Sequence, residues 1–90
     1  MATTFENFAT SQMTDITRRP GANALKVTKV VFNDEAQEVP TVSITLGGSV
    51  QEFDLYNNTL KSKIETAYNS GNSIADIVAD AKTAGSIVAK

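Results

Sequence analysis

The chain contains no cysteine, no histidine and no tryptophan. Without cysteine there is no disulfide framework, thiol nucleophile, iron–sulfur cluster or thiolate zinc site. Without histidine the usual general base at neutral pH and the commonest imidazole ligand are missing as well. An enzyme made from this sequence would have to work with Asp, Glu, Lys, Tyr, Ser or Thr, and a bound metal would be held by oxygen atoms. Long apolar runs are also lacking, since no window approaches the roughly 18 residues of a membrane span. The opening segment MATTFENFATSQMTDITRR has neither the basic start nor the continuous apolar run of a secretory signal. The expected location is therefore cytoplasmic or within a virion, not reached through a signal peptide. Asn57-Asn58-Thr59 matches a glycosylation acceptor, but without a secretion signal it reads as coincidence or as a helix cap.

What is present fits one small domain: 90 residues, 41% hydrophobic and 20% charged, with a net charge of -2. A chain of this length buries roughly two thirds of its unfolded surface, which allows one modest core. Residues 1–23 read as an N-terminal arm or docking helix. Phe5, Phe8, Met13 and Ile16 form a loose helical stripe on an otherwise polar, Thr-rich segment, and such a stripe has to be held by whatever it packs against. Arg18-Arg19-Pro20-Gly21 then stops it, because Pro disfavours helix at the preceding residue and Pro-Gly favours a turn. Residues 24–90 read as a single compact α+β domain.

From Ala24 to Tyr56 the pattern is that of strands. Leu25 to Phe32 is rich in β-branched residues, and Asn33 to Gln37 supplies a polar turn. Thr41 to Leu46 places Val42, Ile44 and Leu46 on one face and Thr41, Ser43 and Thr45 on the other, the alternation of a sheet with one buried side. Gly47-Gly48 provides the positive φ angles of a tight hairpin, and Val50 to Tyr56 returns with Phe53 and Leu55 toward the core. The remainder is helical. Asn57 or Asn58 caps a helix whose stripe is Leu60, Ile64, Ala67 and Tyr68, and Gly71 stands at its C-cap. Ser73 and Asp76 form an imperfect capping box ahead of a second stripe, Ile74, Ile77, Val78 and Ala81. Gly85 either ends that helix, leaving residues 86–89 as a short strand, or lies within it. The expected fold is thus an arm or helix, a three-stranded antiparallel meander, and two helices packed on one sheet face.

The clearest non-random feature is the charge order. Arg18, Arg19, Lys26 and Lys29 lie in a stretch without acids, and Asp34, Glu35, Glu38, Glu52 and Asp54 lie in a stretch without bases. One reading pairs these charges across neighbouring strands. The other sets a basic hinge on one molecule against an acidic meander on another, where charge fixes register and on-rate. Glu52 and Asp54, two residues apart on one strand, share a face. Paired carboxylates of this kind serve acid–base catalysis or bind divalent cations, but only a cleft drives their pKa values apart, and a solvated strand face offers none. Gly47-Gly48 lacks the frame of a phosphate-binding loop.

Residues 73–88 resemble the core of a helix-turn-helix unit in their small residue, turn glycine and later Val88. The resemblance implies a DNA reader, which needs a basic face. The segment carries Asp76 and Asp80, and the chain has a pI near 4.9. An amphipathic helix packed on a sheet accounts for the same stripe.

The expectation is a non-enzymatic protein-binding or assembly module, such as a small structural or decoration-type subunit of a larger particle like a virion. It has no catalytic, cofactor or metal site. Its partner-binding residues are the arm anchors Phe5, Phe8, Met13 and Ile16, the basic hinge Arg18, Arg19, Lys26 and Lys29, and the acidic meander Asp34, Glu35, Glu38, Glu52 and Asp54. The partner is another protein or a second copy of the chain, not nucleic acid, membrane or a small-molecule substrate. The alternative is a small regulator or inhibitor that binds a host enzyme or nucleic-acid complex through the acidic meander.

Overall fold

The computed structural model describes residues 2–14, 26–33 and 40–90. Ile16, Arg18, Arg19, Asp34, Glu35 and Glu38 lie outside the described residues, as does the Pro-Gly turn. The elements are β1 (Ala2–Glu6), α1 (Thr10–Met13), β2 (Val27–Asn33), β3 (Thr41–Leu46), β4 (Ser49–Leu55), α2 (Thr59–Ser70), α3 (Ile74–Ala84) and β5 (Ile87–Ala89). All five strands join one antiparallel sheet in the order β1-β2-β3-β4-β5. The fold is α+β. The expected three-stranded meander is its centre, extended by one strand on each side.

The N-terminal expectation is corrected first. The described apolar residues there do not share one helix: Ala2–Glu6 is a strand, and among the described residues of the segment only the four of α1 are helical. The reason lies at Asn7, whose φ of 61° turns the chain between Phe5 and Phe8; Asn adopts this left-handed region more readily than most residues. Because of that turn, Phe5 at the end of a strand and Phe8 ahead of a helical turn both reach the core. The Phe5 ring meets Phe32 edge-on at 6.0 Å and Tyr68 at 5.5 Å, and Phe8 meets Tyr68 at 5.5 Å. Edge-to-face pairs at such separations add to the gain from burial. Met13 packs partly buried against the same cluster. The described anchors of the arm are thus engaged by the chain's own core.

β2 shows how an imperfect alternation becomes a buried face. Val27 and Val30 are three residues apart, so a regular strand would point them to opposite sides. A register shift between Val27 and Lys29 inserts the extra residue of a bulge, which returns both to the core side, opposite Leu46 and Ile44 respectively. Phe32 comes next on that side, opposite Val42, and all three β2 residues are fully buried. On β4 only Phe53 and Leu55 are buried, as their alternation predicts. Gly47 and Gly48, with φ of 57° and 96°, form the two-residue turn whose twist suits a hairpin.

The helices cover the core side. Leu60, Ile64 and Ala67 of α2 and Ile74, Ala75, Val78 and Ala81 of α3 are buried against the sheet's apolar face. α2 is capped from Asn57, whose Oδ1 accepts from the Thr59 amide at 3.0 Å and the Thr59 hydroxyl at 2.7 Å. α3 is capped by Ser73, whose Oγ accepts from the Asp76 amide at 3.2 Å. Gly85, at φ 78°, ends α3. The chain then enters the strand β5, with Ile87 opposite Leu55, so the helix-turn-helix resemblance ends at Gly85. No helix among the described residues is long and apolar enough to cross a membrane.

Gln12 is the polar side chain that joins these layers. It is 4% exposed. Its Nε2 donates to the carbonyls of Ala67 at 3.1 Å and Tyr68 at 3.3 Å, and its Oε1 accepts from the Ala9 amide at 2.9 Å. A single buried amide therefore ties the turn of α1 to the last turn of α2, adding to the Gly71 and Asn72 amides that the Ala67 carbonyl already accepts.

Candidate functional site

The described helices lie on one side, and none of them covers the other side of the sheet. Register aligns its residues in rows that cross the strands. One row runs Asn33, Thr41, Asp54, Val88; the next Thr4, Val31, Ser43, Glu52; the third Glu6, Lys29, Thr45, Val50. The centre of this face is neutral and hydroxyl-rich. Asn33 Nδ2 donates to Thr41 Oγ1 at 3.1 Å, and Thr41 is buried despite its polarity. Toward β4 and β5 the face becomes apolar and acidic: Val50 is 70% exposed and Val88 46%, beside Glu52 and Asp54. β-Branched side chains are costly to leave in water at about 25 cal/mol per Å², and these two stand on regular strands, not on loop tips.

The register decides how the segregated charges are used. The basic strand β2 and the acidic strand β4 are not neighbours: β3 lies between them and presents only Thr41, Ser43 and Thr45 to this face. Two strand spacings, roughly 9–10 Å, separate Lys29 from β4, where the facing position is Val50 and the carboxylates Glu52 and Asp54 lie two and four residues further along. The expected pairing across adjacent strands is therefore corrected for Lys29 with Glu52 and Asp54, while Arg18, Arg19, Asp34, Glu35 and Glu38 lie outside the described residues. Lys29 stands opposite Glu6 of β1, and Glu52 is paired with Lys90 at 3.1 Å. Both partners come from the flanking strand regions that the sequence pattern did not reveal as sheet. Lys26 is exposed, forms an isolated bridge with Thr14 and accepts the Gly47 amide at 3.0 Å through its carbonyl.

The hydrogen bond from Lys90 to Glu52, reinforced by the charges of Glu52 and Asp54, holds the Lys90 ammonium above its ordinary 10.5, although desolvation works the other way. A raised ammonium stabilises the fold fully below the unfolded value and loses that contribution as pH rises through the folded value. Lys90→Gln is accordingly expected to melt slightly below wild type at pH 7 and to converge with it above pH 10.5. Thermal melts across pH 7–12 check this, and the difference should be small because both side chains are about half exposed (47% and 50%).

Two depressions lie on the helical side. A cleft of about 120 Å³ between α2 and α3 is lined by Thr59, Leu60, Lys63, Ile77, Asp80 and neighbours. It is well below the roughly 300–1,000 Å³ of a typical ligand site. A shallower groove of about 570 Å³ beside it, lined by Lys63, Thr66, Ser73, Asp76 and others, is open to solvent along its length. Among the described residues no group of three or more His, Cys, Asp or Glu is placed to hold a metal ion. The structure thus brings Lys29, Glu52 and Asp54 onto one face and takes Phe5, Phe8 and Met13 to the opposite side. Val50 and Val88, which sequence reasoning left unassigned, are the exposed apolar residues of the open face; their signal was a β-branched residue at the polar phase of a strand.

A scan against protein-family models finds no match for this chain, and searches of curated proteins and of solved structures find none either.

Proposed function

We propose that this protein is a non-enzymatic protein-binding module, a small structural subunit that docks into a larger assembly, with a decoration-type subunit of a virion as the concrete case. The observation that carries this reading is the sheet face that no described helix covers, with Val50 and Val88 exposed at 70% and 46%. Val50 and Val88 stand at the two ends of a patch whose middle is Glu52, Asp54 and Lys90, so a partner would meet apolar contacts on either side of a charged centre. Since Phe5 and Phe8 are engaged in the chain's own core, the open face takes over the docking role first expected of the arm. The charge between the two valines would set partner and register more than strength.

The test is cosedimentation from the native source. The chain is expected to travel with a large particle at fixed stoichiometry, and the double variant Val50→Asp, Val88→Asp to be released at least tenfold more readily while melting within a few degrees of wild type. A wild-type chain that stays in the light fractions, or a folded double variant that remains bound, overturns the reading. Glu52 and Asp54 on the same face support a second reading, a small regulator that binds a basic surface of a host enzyme. In that case Glu52→Gln with Asp54→Asn would abolish binding and the valine substitutions would not.

A further inference from the structure

The sheet has two edges, and they are not equally protected. Proteins blunt exposed edges with short strands, lysines, prolines or bulges. The β5 edge is only three residues long and is followed directly by Lys90. β1 is five residues long, Ala-Thr-Thr-Phe-Glu, contains neither lysine nor proline, and pairs with β2 without a break in register. Of its described side chains only Glu6 is charged.

The phase of the ladder shows which backbone groups this edge exposes. A two-residue turn makes Leu46 and Ser49 a mutually hydrogen-bonded pair, and antiparallel pairs alternate from there. The bonds from the Leu55 amide to the Pro40 carbonyl at 2.8 Å and from the Lys90 amide to the Glu52 carbonyl at 3.1 Å agree with that phase. Carried across the register, it turns Thr3 and Phe5 inward to β2 and Ala2, Thr4 and Glu6 outward. The Glu6 carbonyl confirms this, for it accepts the Tyr68 hydroxyl at 2.9 Å instead of a strand. Tyr68 thereby closes one end of the edge, and no described strand pairs with the outer side of the remainder, Ala2 to Thr4.

We infer that β1 is a self-pairing edge: two copies of the chain join antiparallel through Ala2–Thr4 about a two-fold axis at Thr3, continuing the sheet from one molecule into the next. Ala2 then faces Thr4 of the second copy, and Thr4 faces its Ala2, each pair exchanging both main-chain hydrogen bonds. This register leaves the Tyr68–Glu6 contact intact and sets no carboxylate against another. A two-fold arrangement also closes on itself, whereas joining β1 to the β5 edge of the next copy would grow without limit. The pairing uses the edge and not the open face, so it stands or falls separately from the docking reading.

The Thr4 amide takes no part in the β1–β2 ladder, so Thr4→Pro removes an outward donor while keeping the inward bonds, and the extended Thr3 before it suits a proline. Sedimentation equilibrium from micromolar to millimolar protein is expected to show a concentration-dependent dimer. Thr4→Pro should weaken it at least tenfold with unchanged far-UV circular dichroism. Exchange of the Thr4 amide, read by NMR, should slow only where the dimer is populated, with Thr3 protected throughout. Thr4→Lys, which places a charge on the edge without touching the backbone, is the second variant should the proline variant not fold. A wild-type chain monomeric to 1 mM overturns the inference. So does growth beyond the dimer, or a dimer unaffected by a folded Thr4 variant.

Discussion

Phe32→Ala is expected to destabilise the protein by about 3–5 kcal/mol and to leave it largely unfolded at 37 °C. Phe32 is fully buried, sits on the second strand of the sheet opposite Val42 and Thr3, and receives the Phe5 ring edge-on at 6.0 Å. Truncation removes its transfer free energy, opens a cavity that the paired strands on either side cannot collapse into, and takes away the ring that holds Phe5. Domains of this size have only about 5–15 kcal/mol in total, so one such loss consumes much of it. Urea unfolding followed by far-UV circular dichroism measures the effect; tryptophan fluorescence is excluded by composition. A midpoint shift worth less than about 1 kcal/mol would show that this site repacks freely, contrary to the close packing of protein interiors. The mobility of β1 is the second readout: with Phe5 deprived of its partner, the amides of Thr3 and Phe5 should exchange faster than those of β3 in the variant.

Gln12→Glu is expected to be nearly as damaging, by about 3–5 kcal/mol at pH 7, although it changes one atom group and no volume. The Gln12 amide nitrogen donates to the Ala67 and Tyr68 carbonyls at the C-terminal, negative end of α2. A carboxylate there would face those oxygens with no proton to give, in a position only 4% exposed. Burial and the carbonyl dipoles both favour the neutral acid, so the introduced carboxyl titrates above its unfolded value of about 4.3. A group raised in the folded state is least harmful below its unfolded value and most harmful above its folded one. The deficit of the variant should therefore shrink as pH falls from 7 toward 4, where the protonated acid can again donate to a carbonyl. Gln12→Met, which keeps the shape and removes the charge question, should cost about 1–3 kcal/mol with no such pH dependence. Paired melts of the three proteins at several pH values decide it, and a pH-independent deficit for Gln12→Glu would mean that the side chain swings into solvent.

These two residues also mark how far the sequence could be read. Phe32 lies in a β-branched run that signals a strand from composition alone, and its burial follows from alternation with Val30. Gln12 gives no such signal. It looks like filler between apolar residues of a polar segment, and its importance comes from 55 residues away, where the Ala67 carbonyl in the last turn of α2 accepts from it. The charged residues divide in the same manner. That Glu52 and Asp54 share a face follows from their spacing on a strand, but their partners do not: Lys90 reaches Glu52 only because β5 returns to the sheet, and Lys29 meets Glu6 only because the first residues are a strand.

The sequence by itself determined the centre of this protein. Val42, Ile44, Phe53 and Leu55 alternate, Gly47-Gly48 demands a turn with positive φ, and the stripe of α2 ends at Gly71, each a signal complete within a dozen residues, whereas Gly85 leaves open whether α3 ends there or runs through it. It also determined which chemistries are missing, since no fold can supply an imidazole or a thiol the chain lacks. Tertiary structure alone decided β1 and β5, and with them the arrangement of charge and the two edges. A strand of three to five residues has too few local interactions to declare itself. It forms because a neighbouring strand offers a ladder and the core offers room for Phe5 and Ile87, and both conditions exist only once the rest has folded.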